Sequence, residues 1–138
     1  MAVPNHFGLP ERFKENLEFL GFKVFLLKND EHVSIPLKDK IIHAYNKWVH
    51  KDKSYKRLLK NKMSKEKQLA LLSTFDKADY ALFIRPDLFD YDVVNATKEK
   101  VDKIVAYQWD GIKRYPLVKN YIALFDKFYA FDKNDVKE

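Results

Sequence analysis

Polar side chains able to bind or activate a substrate follow two apolar runs in the middle of the chain. Arg85 and Asp87 come after the first run, and Gln108, Trp109 and Asp110 come after the second. A guanidinium grips a phosphate or carboxylate as a planar fork, an indole ring stacks on a sugar, an amide bonds sugar hydroxyls, and a carboxylate orients a substrate or accepts a proton. If both runs are strands of a parallel sheet, the two clusters share its carboxyl edge, where ligands bind in open α/β folds.

Each cluster also has a purely structural interpretation. Arg85 could pair with Asp87 or Asp110 instead of binding an anion. Trp109 could pack in the core, and Asp110 with Gly111 could be no more than a turn. The sequence leaves these alternatives open.

A third cluster, Asn5, His6 and Gly8, follows a short apolar stretch at residues 2–4. It falls in the first strand-to-helix loop, at the expected topological switch point of the sheet. His6 could act there as a general base or as a hydrogen-bonding partner of an acceptor, and Gly8 would let the backbone approach a ligand closely. The alternative is that His6 caps the following helix or lies in solvent.

Several better defined kinds of site are excluded by the residues present. Without cysteine there is no disulfide, no thiolate metal site and no cysteine nucleophile. The four histidines show no H-E-x-x-H spacing, and the chain has no G-x-G-x-x-G fingerprint, no phosphate-binding P-loop and no G-x-S-x-G elbow. We therefore predict neither a metal site nor a cofactor.

The elements that must position these clusters alternate between strand and helix. A chain of 138 residues with 46% apolar residues fits a single domain. The alternation predicts an α/β fold, a Rossmann-like open parallel sheet of about five strands, the first one short, with helices on both faces. Strands are predicted at residues 23–27, 80–84, 104–107 and 127–131, and a first helix at 10–20. Two or three helices are expected between residues 37 and 75, with a break near Met63, just before a possible cap at Ser64.

Two apolar patterns in the sequence predict which side chains are buried. The continuous apolar runs at 80–84 and 104–107 are typical of strands covered by helices on both faces. Ile41, Tyr45 and Trp48 recur at helical spacing, and the basic residues lie between such apolar positions, where solvated charge belongs.

Basic residues are concentrated in residues 47–67, which carry nine lysines and arginines against two acidic residues. A local patch of this kind attracts nucleic acid, anionic lipid or an anionic ligand. Its candidate binding residues are Lys53, Lys56, Arg57 and Lys60. The alternative is a solvated helix face.

Four segments together resemble a known family. PNHFGLPERFKENLEFLGFKV, ADYALFIRPDLF, IVAYQWDGIKRYP and LFDKFYAFDKND look like the N-terminal half of bacterial glycosyltransferases of lipopolysaccharide or capsular polysaccharide biosynthesis, of the spore-maturation-protein-like type. The resemblance covers nearly the whole chain. It implies a two-domain, twin-Rossmann architecture in which the N-terminal domain mainly receives a glycan or lipid-linked acceptor, and the C-terminal domain holds most of the nucleotide-sugar donor.

The resemblance also implies roles for the three clusters. The loop of Asn5 and His6 would face the cleft between the two domains. The catalytic candidates are His6 and Asp110. The substrate-binding candidates are Asn5, Gly8, Arg85, Asp87, Gln108, Trp109 and Arg114.

Two departures from the family pattern shape the functional expectation. The first strand starts at Met1, and no second Rossmann-like domain follows within the 138 residues. We therefore expect residues 1–138 to be a single domain, the acceptor-side half of such an enzyme, inactive alone because a cleft needs both walls. A short central strand leaves neighbouring backbone groups unpaired, which predicts marginal stability or a homodimer.

A second hypothesis is a stand-alone binding module that uses the basic segment to engage nucleic acid or an anionic membrane surface, with nucleic acid the less favoured partner. The absence of cysteine and of a long apolar run suits a cytoplasmic protein. The basic segment would allow such a protein to contact the inner membrane at its periphery.

Overall fold

Five parallel strands form one open sheet in the order β2-β1-β3-β4-β5. The structure, a computed structural model, describes residues 1–29, 34–51 and 55–135. The predicted α/β fold with a Rossmann-like open parallel sheet is therefore confirmed. The strands are β1 Ala2–Pro4, β2 Leu27–Asn29, β3 Ala78–Ile84, β4 Val101–Gln108 and β5 Lys127–Ala130.

Helices occupy the connections between the strands. The α-helices are α1 Leu9–Phe19, α2 Leu37–Val49, α3 Tyr55–Leu72 and α4 Tyr91–Lys98, and two 3-10 helices span Pro86–Leu88 and Pro116–Leu124. At the start of helix α4, the Asp90 side chain accepts a hydrogen bond from the Asp92 backbone N–H at 3.1 Å. Helix α1 begins at Gly8, whose left-handed φ of 71° suits glycine, and has Pro10 in its first turn.

The core lies between β3, β4 and the helices that follow them. Phe83 is fully buried on β3, where its ring meets Phe89 edge-on at 5.4 Å and Phe125 at 5.7 Å between centroids. Both distances suit the preferred geometry of aromatic pairs. This core fixes β3 and β4 side by side, so that their carboxyl ends come out together.

The strand order creates a switch point between β1 and β3. The chain leaves β1 towards β2 on one side, whereas every later connection moves to the other side, through β3, β4 and β5. With right-handed crossovers, α1 therefore covers the face of the sheet opposite to the later helices. The loops after β1 and β3 therefore run in opposite directions at the carboxyl edge, which is the usual ligand position in this strand order.

The predicted position of the second strand is wrong by several residues. Its register pairs Leu27, Lys28 and Asn29 with the three residues of β1, and residues 23–26 lie beyond that pairing. An apolar sequence alone does not make a strand, because the backbone also needs a partner to hydrogen-bond.

The predicted helix break near Met63 is also wrong. Helix α3 runs without interruption from Tyr55 to Leu72, and Ser64 is buried in its middle instead of capping a new helix. The interruption between α2 and α3 lies instead between Val49 and Tyr55.

The burial expected for the apolar runs 80–84 and 104–107, and for the apolar positions of α2, is only partly observed. On β4, Ile104 and Ala106 are buried but the alternate positions are only half-buried, and Tyr80 on β3 is largely exposed. The reason is that α1 lies over β1 and leaves the neighbouring part of that face open. Helix α2 forms as predicted, yet none of its residues is fully buried.

Candidate functional site

Buried polar side chains are concentrated at the carboxyl edge of the sheet. They come from the ends of β2, β3 and β4, from the buried side of α3 and from the segment after β5. Thr97 is the exception, and its hydroxyl is satisfied within α4 by the Val93 carbonyl at 2.7 Å. Burying polar groups is costly unless they are paired, so their concentration marks this edge as the chemically specialised part of the molecule. The others are Asn29, Asn61, Ser64, Gln68, Arg85, Asp87, Gln108 and Asp135.

Arg85 is the first residue beyond β3 and the centre of this edge. Its φ of 58° is left-handed, a strained conformation for a residue other than glycine, and only 6% of the residue is exposed. Its Nε and Nη2 donate to the two carboxylate oxygens of Asp87, each at 2.8 Å. This bidentate pair uses two of the guanidinium donors of Arg85 inside the protein. The predicted ion pair between Arg85 and Asp87 is therefore confirmed.

Asp87 is fully buried and receives a second guanidinium from α3. Arg57 Nη1 donates to Asp87 Oδ2 at 2.6 Å. The Asn61 amide, one turn further along α3, donates to the carbonyls of Asp87 and Phe89 at 3.1 and 3.0 Å. Helix α3 therefore clamps the loop after β3 through both the side chain and the backbone.

The Tyr115 ring is the platform on which three arginines converge. The guanidinium carbons of Arg85, Arg57 and Arg114 lie 3.9, 4.6 and 5.3 Å from the ring centroid. Cations attract the face of an aromatic ring, and the attraction is stronger where water is excluded. Tyr115 thus allows positive groups to gather where mutual repulsion would otherwise separate them.

Asp110 completes what we call the arginine cluster: Arg57, Arg85, Arg114, Asp87, Asp110 and Tyr115. Arg85 Nη1 hydrogen-bonds to Asp110 Oδ2, and Arg114 Nη1 lies 3.9 Å from Asp110 Oδ1. Three guanidinium groups and two carboxylates leave one net positive charge. Arg114 and Asp110 form the accessible side of the cluster, with side chains 74% and 24% exposed.

The carboxylates also determine the protonation of Arg85. Burial by itself lowers the pKa of Arg85, but the hydrogen bond and charge of Asp87, together with the charge of Asp110, outweigh it and raise the pKa above its ordinary value. The cluster therefore carries a permanent positive charge at this edge.

The loop after β4 is anchored by the segment that follows the neighbouring strand β5. Asp135 Oδ2 accepts a hydrogen bond from the Ile112 backbone N–H at 2.8 Å. Trp109, in this loop, is half-buried and is not among the buried residues of the core. Asp110 is more than a turn residue because it carries the ion pair to Arg85.

Gln108 does not reach the surface. It is fully buried at the end of β4, and neither atom of its amide has a hydrogen-bond partner among the described residues. A substrate could reach this amide only after a neighbouring side chain had moved. Its contact with a substrate remains a prediction.

The loop after β1 carries two consecutive left-handed residues, Phe7 at φ 48° and Gly8 at φ 71°. The turn exposes the Phe7 side chain completely, and Asn5 and His6 are half-buried beside it. Gly8 occupies the N-cap of α1. The roles of Asn5, His6 and Gly8 in binding remain predictions.

The candidate basic patch is divided by the structure. Lys56, Arg57 and Lys60 lie on α3, whereas Lys53 lies outside the described residues. Arg57 belongs to the arginine cluster, and Lys65 pairs with Asp90 and Asp92. Part of the positive charge of residues 47–67 is therefore used inside the molecule.

Two residues of the cluster's surroundings escape sequence reasoning. Neither Tyr115 nor Asn61 is among the candidate residues that the sequence indicates. The available signal for Asn61 was its spacing, because Asn61, Ser64 and Gln68 recur at intervals that place them on one side of a helix. Nothing comparable distinguishes Tyr115.

Metal-binding groups and membrane-spanning helices are absent from the described part of the chain. Within residues 1–29, 34–51 and 55–135, no three His, Asp or Glu side chains are grouped so that they could hold a metal ion. No helix in the same ranges combines the length and apolar character that a bilayer crossing requires. Comparison with protein families, with characterised proteins and with solved structures found no match to this chain.

Proposed function

We propose that this chain is the acceptor-side domain of a glycosyltransferase that adds a sugar to a lipopolysaccharide or polysaccharide acceptor. A nucleotide-sugar donor would be held mainly by a second domain. The observation that best supports this is the arginine cluster, which presents Arg114 and Asp110 at the carboxyl edge, in the same loop region as the half-buried Trp109.

The accessible groups match the chemistry of an acidic sugar. Arg114 offers a guanidinium to a phosphate or carboxylate substituent, and Trp109 offers a ring face for stacking. Asp110 is held by Arg85 through one oxygen, which leaves its other oxygen, 3.9 Å from Arg114, to accept a bond from a sugar hydroxyl. In this proposal Arg85 and Asp87 position the site and do not touch the substrate.

His6 is the proposed general base of the acceptor hydroxyl. It lies in the loop after β1, on the other side of the switch point from the arginine cluster. The left-handed turn at Phe7 and Gly8 directs this loop outward, and strained backbone of this kind often accompanies function. The proton would pass from the acceptor hydroxyl to the His6 imidazole as the acceptor oxygen bonds to the anomeric carbon of the sugar. The sugar–phosphate bond of the donor breaks in the same step, and the nucleotide leaves on the side of the second domain.

The test is a titration of the isotopically labelled chain with a phosphorylated lipopolysaccharide core oligosaccharide. We expect NMR shift changes in residues 5–8 and 109–114, and we expect Arg114→Ala to weaken binding by about tenfold, the value of one charge-assisted contact. Lys113→Ala is the matched control, because Lys113 is exposed in the same turn but has no contact with the cluster in the structure.

Two results would contradict the proposal. One is an equal loss of binding in the Lys113 and Arg114 variants. The other is release of UDP from UDP-glucose by this chain alone, since the proposal assigns most donor binding to another domain.

The structure bears differently on the two versions of the binding-module hypothesis. Arg57 and Lys65 are engaged in ion pairs, which reduces the charge that α3 could offer to nucleic acid. The exposed apolar face of α2 favours the membrane version.

A further inference from the structure

Helix α2 presents a continuous apolar stripe to the solvent. Its members recur at helical spacing along the whole helix, and each is more than half exposed, with Trp48 at 82%. Apolar faces of helices in globular proteins normally point to the core, and contiguous exposed patches mark interaction sites. The stripe consists of Leu37, Ile41, Tyr45, Trp48 and Val49.

The orientation of α2 is fixed by contacts on its opposite side. The Tyr55 hydroxyl of α3 donates to Asp39 Oδ1 at 3.1 Å, and the rings of His43 and Tyr55 stack at 6.5 Å between centroids. These contacts keep the polar side of α2 against α3. The apolar stripe therefore faces outward as a consequence of packing.

Positive charge accompanies the stripe. Lys38 lies beside the stripe, and Lys40 and Lys47 lie at the border between the stripe and the side that packs on α3, all of them exposed. The acidic residue within α2, Asp39, is turned towards α3. The apolar stripe is thus flanked by lysines, and the carboxylate of α2 lies away from it.

We propose that α2 docks this protein on an anionic membrane, lying in the plane of the interface. The apolar stripe enters the boundary between headgroups and acyl chains, while the lysines remain at the level of the anionic headgroups. Trp48 and Tyr45 suit this depth, because their rings are amphipathic. A helix of 13 residues is about 20 Å long at 1.5 Å per residue, enough for a surface contact but not for a crossing.

Charge complementarity selects lipid over the other occupants. Nucleic acid would neutralise the lysines but leave the apolar stripe in water. A second copy docked through the same face would bring two sets of lysines together without an opposing carboxylate. Of these three occupants, an anionic lipid surface is the one that satisfies both the apolar stripe and the lysines. The inference stands on α2 alone and does not depend on the acceptor role proposed for the carboxyl edge.

The test is sedimentation with vesicles of phosphatidylcholine alone and of phosphatidylcholine mixed with phosphatidylglycerol in equal amounts. We expect binding to the mixed vesicles and a decline with added salt. The double variant Ile41→Ser, Trp48→Ser should lose about tenfold or more in affinity, because two apolar anchors are removed. Lys40→Gln and Lys47→Gln should each cost about fivefold, since each lysine near an anionic surface contributes about that factor.

Matched variants outside α2 test whether vesicle binding is specific to the α2 face or is due to any exposed aromatic or basic side chain. Phe19→Ser removes an equally exposed aromatic side chain from α1, and Lys77→Gln with Lys127→Gln removes two exposed lysines away from α2. These controls should bind the mixed vesicles as the original chain does. In a Trp109→Phe background, Trp48 is the remaining tryptophan, and its emission should shift to the blue when mixed vesicles are added.

Three outcomes would overturn the proposal. They are failure to bind mixed vesicles, equal binding to both vesicle types, and equal losses in the α2 and control variants. Light scattering identifies the main competitor: a dimer that Trp48→Ser dissociates, in a chain that ignores vesicles, would mean that a second copy covers the stripe. Circular dichroism of each variant verifies that it is folded.

Discussion

The carboxyl edge of the sheet and the outer face of α2 depart from ordinary burial in opposite directions. At the edge, charged and amide groups are buried; on α2, large apolar side chains are exposed. Each departure costs free energy unless something compensates it. At the edge the compensation is internal, through the ion pairs and hydrogen bonds of the arginine cluster. On α2 no compensation is found among the described residues, so we look for it outside the molecule.

This difference in compensation distinguishes residues that hold the site in place from residues that are accessible to ligands. Residues that satisfy one another internally, such as Arg85 and Asp87, hold the site in place, whereas accessible residues, such as Arg114 and Trp48, are available to ligands. Substitutions in the two groups should consequently affect different measurements, stability in the first case and binding in the second.

The largest effect is expected for Asp87→Ala. This change leaves the buried guanidinium of Arg85 without its main partner, and breaking a buried ion pair from one side costs about 3–5 kcal/mol. Urea unfolding measures the loss. Asp102→Ala, on the exposed side of β4, should change the free energy of unfolding by less than about 0.5 kcal/mol. Equal stability of the two variants would show that the arginine cluster does not hold the edge together.

Asn61→Ala should have the next largest effect. The change leaves the Asp87 carbonyl without its side-chain donor, at a cost of about 1–3 kcal/mol, whereas the Phe89 carbonyl keeps the Tyr121 hydroxyl as a donor. The adjacent Lys62→Ala, on the exposed side of α3, is the control for helix propensity. A drop shared by both variants would attribute the effect to α3 itself and not to the clamp.

Tyr121→Phe should change the pH dependence of stability. The buried hydroxyl donates to the Phe89 carbonyl at 2.9 Å, and burial raises the pKa of Tyr121 from 10.0 to about 12. Folding thus favours the neutral phenol, so this contribution is complete below pH 10 and is lost as the pH rises towards 12. At neutral pH the variant should lose only about 0.5–1.5 kcal/mol, the value of one hydrogen bond.

Unfolding measured from pH 8 to 12 should show a shallower decline for Tyr121→Phe than for the original chain. Tyr129→Phe, at an exposed position on β5, should leave the decline unchanged. Parallel curves for all three proteins would disprove the assignment.

The smallest effect is expected on α2. Trp48→Ser removes a largely exposed side chain and should change the free energy of unfolding by about 0.5 kcal/mol or less. For contrast, Leu72→Ala at the end of α3 removes a buried side chain, 2% exposed, and should cost about 2–5 kcal/mol. If the Trp48 variant lost as much stability as the Leu72 variant, α2 would be packed inward in solution.

The sequence by itself determined the class of the fold and the position of the candidate site. Apolar runs alternating with helical periodicity are local patterns, and they suffice for the parallel sheet, for α1 and α4, and for the polar clusters at the strand ends. Strand ends were the least determined, because the limits of β2 depend on which residues β1 offers for pairing.

Only the tertiary structure decided which polar groups face inward. The sequence left Arg85 between anion binding and internal pairing, and the distance to Asp87 resolved that choice. It grouped Arg57 with the surface lysines, although packing of α3 brings it to Asp87 and Tyr115. It placed no constraint on the side of α2 that meets α3. The physical reason is common to all three cases: burial and pairing depend on neighbours distant in the chain, which periodicity along one segment does not specify.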